Sequence, residues 1–77
     1  MTTKERKDFL FEWYKKKYES FKKTEWENYY RGEIDGEALE DRIKFIDREL
    51  RTVLKRLNRS SYAVVKREFE KVKNFSH

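Results

Sequence analysis

The run Leu39-Glu40-Asp41-Arg42-Ile43-Lys44-Phe45-Ile46-Asp47-Arg48-Glu49-Leu50-Arg51-Thr52-Val53-Leu54-Lys55-Arg56-Leu57 decides the fold. Leu39, Ile43, Ile46, Leu50, Val53 and Leu57 recur at intervals of four, three, four, three and four. That is the unbroken seam of a helix that packs against another helix. The acids Glu37, Glu40 and Asp41 gather at its start and the bases Arg51, Lys55 and Arg56 at its end. This order complements the helix dipole. The pattern predicts a helix over about 36–57.

Gly32 and Gly36 are the only glycines, and they bracket Glu33-Ile34-Asp35. This is the strongest break in the chain. Gly32 suits the position just past a helix end, and Asp35 suits the cap of the next helix. Upstream, a first helix is expected over about 3–30, capped by Thr2 or Thr3. Phe11, Tyr14, Tyr18 and Phe21 are spaced three, four and three apart, which sets them on one face. Phe9, Leu10 and Trp13 widen that face. After Phe21 the register slips by one to Trp26, Tyr29 and Tyr30. Downstream, Asn58-Arg59-Ser60-Ser61 reads as a second break. Asn58 tolerates a left-handed conformation, and Ser60 or Ser61 can cap a further helix. Tyr62, Val65, Phe69 and Val72 mark this third helix over about 61–74, after which the tail Phe75-Ser76-His77 should fray.

The short connection predicts an antiparallel pair. The fold class is all-α: a long antiparallel helical hairpin plus a shorter third helix, in one small domain spanning residues 1–77. At 1.5 Å per residue the third helix is roughly half as long as the first. It covers only part of the hairpin and leaves one end open.

Composition narrows the chemistry. Of 77 residues 45% are charged, a balance that by itself favours disorder, but 17% are aromatic and supply large buried area. A folded chain with a thin aromatic core is the reading. Without cysteine there is no disulfide framework, thiol nucleophile or cysteine zinc site. The one histidine is His77, and Ser20, Ser60, Ser61 and Ser76 have no evident base. Glu12 with Lys16, Glu19 with Lys23 and Asp47 with Arg51 are spaced as ordinary surface ion pairs. No catalytic residue, metal ligand set or cofactor is therefore assigned, and no enzyme is expected. No apolar run of about 18 residues is present, so no membrane partner is expected. The charged start Met1 to Asp8 lacks the apolar stretch of an export signal, so the cytoplasm, or a host's cytoplasm, is the expected location.

Binding remains. The net charge of +5 divides into +3 over residues 1–31, −1 over 32–58 and +3 over 59–77. Within it, Trp13-Tyr14-Lys15-Lys16-Lys17-Tyr18-Glu19-Ser20-Phe21-Lys22-Lys23 interleaves bases with rings. Single-strand binders use such patterns to track phosphates and stack bases. Further on, Leu57-Asn58-Arg59-Ser60-Ser61-Tyr62-Ala63-Val64-Val65-Lys66-Arg67 resembles the turn and recognition helix of helix-turn-helix domains. There a leucine ends the support helix, Gly or Asn makes the turn, Arg-Ser opens the recognition helix and Ala-Val packs inward. The resemblance implies that Arg59, Ser60, Ser61, Tyr62, Lys66 and Arg67 face nucleic acid. It covers eleven residues, and the break such a domain needs near Arg51 or Thr52 is missing. Lys15, Lys16, Lys22, Lys23, Arg59, Ser61, Lys66 and Arg67 are the candidate residues of this alternative.

The expectation placed first is a protein partner. Trp26, Tyr29 and Tyr30 lie beside Arg31 at the end that the third helix does not reach. Trp, Tyr and Arg are the residue types that dominate interface energies. The expected role is a small accessory or regulatory protein of the kind common in phages and mobile elements, with a homodimer compatible with the leftover surface.

Overall fold

The computed structural model describes residues 1–75. Ser76 and His77, the last residues of the expected frayed tail and the only histidine, lie outside the described residues. The chain forms α1 (Thr3–Tyr30), α2 (Gly36–Arg59) and α3 (Tyr62–Phe75). The all-α hairpin with a shorter third helix is what the periodicities predict.

Local chemistry sets each boundary. Thr2 Oγ1 accepts the Glu5 N–H at 3.1 Å, and the Glu5 carboxylate accepts the Thr2 N–H at 3.1 Å. This reciprocal box satisfies two donors that a helix start leaves unpaired. α1 ends as its sequence requires: Gly32 takes φ 75°, its N–H bonds to Tyr29 O, and the Glu33 N–H reaches Asn28 O. Asp35 Oδ1 then accepts the Ala38 N–H at 2.8 Å and opens α2.

The second break differs from expectation. Asn58 is helical rather than left-handed; no non-glycine residue among those described has positive φ. α2 therefore runs two residues further than predicted. Ser60, in extended conformation, ends it, with its N–H on Leu57 O and its hydroxyl donating to Arg56 O at 2.8 Å. Ser61 starts α3 by accepting the Val64 N–H at 3.5 Å. One serine closes a helix and the next opens another.

The hairpin is antiparallel. Lys7 Nζ donates to Asn58 O at 2.9 Å, Lys22 pairs with Asp47, and Arg42 meets Glu25 at 3.0 Å. Numbers rise along α1 as they fall along α2. α3 then turns back along the first half of α1, giving a flat body of 45 × 27 × 14 Å.

The core sits where all three helices meet. Leu10, Leu57 and Val65 are fully buried, joined by Phe69 and Val72 and flanked by Phe11, Trp13 and Tyr14. Each large aliphatic buried this way contributes roughly 1.5–3 kcal/mol. Phe9 meets Phe69 edge-on at 5.1 Å, and the Arg6 guanidinium lies 5.8 Å from the Tyr62 ring and 5.9 Å from that of Phe69. The buried centre of α1 is Leu10, not the Phe11–Phe21 stripe, of which Phe21 is exposed. α1 is gripped from two sides, so its deepest position lies between the two partners. Along the α2 seam only Leu39 and Leu57 are buried; Ile43, Ile46, Leu50 and Val53 are half-buried because a single helix faces them.

The surface ion pairs also differ. Glu12 and Glu19 pair with Lys15 and Lys22, three residues on, rather than with Lys16 and Lys23. Asp47 bridges to Lys22 across the hairpin rather than to Arg51.

Candidate functional site

α1 is 28 residues long and α3 is 14, roughly 42 Å against 21 Å. One half of the hairpin is therefore a two-helix layer with no third element over it. Two helices have too little facing surface to bury aromatics of this size, and these remain in solvent.

Trp26, Tyr29 and Tyr30 occupy the last turns of α1 in this half. Their rings touch one another, with centroids 6.1 Å apart for Trp26–Tyr29, 5.9 Å for Trp26–Tyr30 and 5.7 Å for Tyr29–Tyr30. Trp26 is 44% exposed and Tyr30 76%. Arg31, beside them, donates to Asn28 Oδ1 at 2.9 Å and lies 3.9 Å from the Glu33 carboxylate. The four residues predicted for partner binding are thus together at the hairpin tip. Trp26 and Tyr29 also wall an open groove of about 480 Å³, floored by Leu39 and Ile43. The Glu40–Lys44 ion pair, 2.9 Å, stands on its rim. The groove thus combines an apolar floor, aromatic walls and a charged rim.

The opposite side of the same half holds a second groove, of about 450 Å³, between Phe21 of α1 and Phe45 and Ile46 of α2. Phe45 is 60% exposed. Periodicity does not single this groove out. Its one signal in the sequence is an aromatic standing outside the seam, between Ile43 and Ile46.

The residues of the nucleic-acid alternative fall into two groups. Lys15 is paired with Glu12 at 3.6 Å. Lys22 is the most enclosed: its hydrogen bond to Asp47 raises its pKa, and Glu19 adds to the effect. Lys16 and Lys23 are exposed, with no ion pair among the described residues. Arg59, Lys66 and Arg67 are exposed at the other end, and Ser61 is occupied in capping α3. The Lys7–Asn58 and Lys22–Asp47 links mark the two levels, fifteen residues of α1 or roughly 22 Å apart. Lys22 and Lys23 are thus well separated from Arg59, whereas Lys15 and Lys16 lie between the two levels and follow Tyr14, which meets α3 through Glu68.

In the segment resembling a recognition helix, Leu57 and Val65 are buried, but Ala63 and Val64 face outward rather than in. α3 lies against α1, and α2 continues unbroken through Arg51 and Thr52.

One polar cluster was invisible in the sequence. Tyr14 donates to Glu68 Oε1 at 2.6 Å, and the Arg56 guanidinium donates to both Glu68 oxygens, at 2.8 and 3.2 Å. The hydrogen bonds from Arg56, followed by that from Tyr14, hold the Glu68 carboxyl below its ordinary pKa. Burial and then Glu68 push the Tyr14 hydroxyl up to about 12. Both shifts lead away from neutrality, so neither group is tuned for proton transfer near pH 7. The cluster clamps three helices. No group of three residues suited to hold a metal ion occurs among those described, and no described helix is long and apolar enough to cross a membrane. Compared with known proteins, the chain matches no family model, no curated protein and no solved structure.

Proposed function

We propose that this chain is a non-catalytic regulatory protein that captures a protein partner at the hairpin tip. The observation that carries the reading is the exposed Trp26–Tyr29–Tyr30 cluster bordering the Leu39–Ile43 groove. Aromatic anchors near an apolar pocket supply most of the energy of an interface, and such anchors cost over 2 kcal/mol when truncated. The matching partner surface offers one or two apolar side chains to the groove. The test is capture from lysate by wild type and by Trp26→Ala, compared at equal helicity by circular dichroism. A species held by wild type and lost by the variant supports the reading. Equal capture by both removes it, and loss of helicity would make Trp26 a structural residue.

A nucleic-acid reading keeps one favourable observation. Lys55, Arg59, Arg67 and Lys71 border two shallow clefts at the α2–α3 end. Fluorescence anisotropy with duplex DNA and single-stranded RNA tests it. Arg59→Ala with Arg67→Ala should weaken binding and flatten its salt dependence. Unchanged affinity would mark the helix-turn-helix resemblance as accidental.

A further inference from the structure

The groove between Phe21 and Phe45 continues the seat of α3. Tyr14, which meets α3 through Glu68, is followed seven residues later by Phe21 on the same row of α1. On α2, Arg56 meets Glu68, and the same row runs back through Glu49 to Arg42 at intervals of seven. α3 therefore lies over the first half of this face, chiefly on α1 and touching α2 through Glu68 and Arg56, and Phe21, Phe45 and Ile46 line the second half with no helix of the chain over them.

We propose that this half-face pairs with the same half-face of a second copy of the chain, in an antiparallel two-fold dimer. Three observations choose a second copy. The first is steric. Two hairpins laid face to face with their ends aligned would drive one α3 into the other. Only the reversed arrangement, open half on open half, brings the grooves together, and it is isologous and closed. The second is continuity: the tip of each hairpin then abuts the end of the other copy's α3, where Phe75 is 81% exposed. The third is charge. Stacking α2 on its twin about Phe45 sets Arg42 of one copy against Glu49 of the other, and Asp41 against Arg48. Glu49 and Arg48 have no ion pair within the chain among the described residues. Arg56 of the same row is satisfied by an acid of the overlying helix, and the dimer gives Arg42, already paired with Glu25 within the chain, a second acidic neighbour.

The groove at Trp26 and Tyr29 shares no lining residue with this face. The dimer covers the Phe21–Phe45 side of each hairpin and leaves the Trp26–Tyr29 groove of each copy open, on opposite sides of the assembly. It thus stands independently of the partner-capture reading and would make that capture bivalent.

Sedimentation equilibrium of the full chain tests it. Wild type should reach twice the 9.7 kDa chain mass as concentration rises. Phe45→Glu should stay at the single-chain mass with unchanged helicity. Arg48→Glu should weaken the dimer, and adding Asp41→Lys should restore it. The charge-swap pair decides the matter should Phe45→Glu lose helicity, since both positions are exposed. A wild-type chain that keeps the single-chain mass at every concentration overturns the proposal. So does a Phe45→Glu variant that still dimerises, or a double reversal that fails to restore the mass.

Discussion

Glu68 is held by Tyr14 from α1 and by Arg56 from α2, so one carboxylate on α3 joins all three helices. Withdrawing a carboxylate from water is costly unless charged and hydroxyl donors replace the lost hydration, and here both do. The folded pKa of Glu68 is lowered. Its contribution to stability is therefore complete above the unfolded value of about 4.3 and is lost as pH falls through the lower folded value. Thermal melting followed from pH 7 downward should hold until about pH 4 and then drop. Glu68→Gln should melt lower at pH 7 and show a shallower fall in acid. An equally steep fall would assign acid sensitivity to other carboxylates. Tyr14 is shifted the other way, so its contribution is complete below about pH 10 and is lost as pH rises through about 12. Ultraviolet titration should show a phenol ionising near pH 12 that Tyr14→Phe removes.

At the scale of elements, short polar residues fix where each helix starts and stops. Replacing a capping Asp by Ala costs about 1 kcal/mol. Asp35→Ala should lower the urea midpoint accordingly, with little change in slope. Gly32 has open space around its Cα, so an added methyl group meets no neighbour, and its φ of 75° alone resists substitution. Gly32→Ala should cost about 1–2 kcal/mol through backbone strain. If urea unfolding shows no loss, the turn has an alternative conformation. These ends were readable from the chain because a cap acts over three or four residues. α2 ends two residues beyond the expected position because Asn58 permits a left-handed turn without requiring one. The packing of α3 and the extended Ser60 settled the matter.

For the whole molecule, the unequal helix lengths produce two unlike halves. At one end Leu10, Leu57 and Val65 form a three-helix core; at the other, two helices share a half-wet seam. Leu57 and Ile43 lie on the same seam and read alike in sequence, yet their burial differs. Leu57→Ala should cost about 2–5 kcal/mol, a large part of the roughly 4–12 kcal/mol expected for a chain of this length. Ile43→Ala should cost clearly less. Equal losses on chemical denaturation would show that the Trp26–Ile43 side of the open half is covered in solution. Native-state hydrogen exchange should rank the halves the same way, with amides near Leu57 and Val65 slowest and those of α1 near Trp26 faster.

By itself the sequence determined three helices, their order, their apolar faces and the Gly32 and Asp35 boundary, because periodicity and capping are local. It also brought Trp26, Tyr29, Tyr30 and Arg31 to one helix end, since neighbours in sequence are neighbours on a helix. Only the tertiary structure decided that α3 rests on the first half of α1, that Leu10 is the centre of the core, and that Phe45 faces an open groove. It alone joined Tyr14, Arg56 and Glu68. These depend on which of several apolar faces meets which, and α1 has apolar residues around much of its circumference. Periodicity says that a residue lies on a face; it does not say which partner covers that face or how far along the partner reaches.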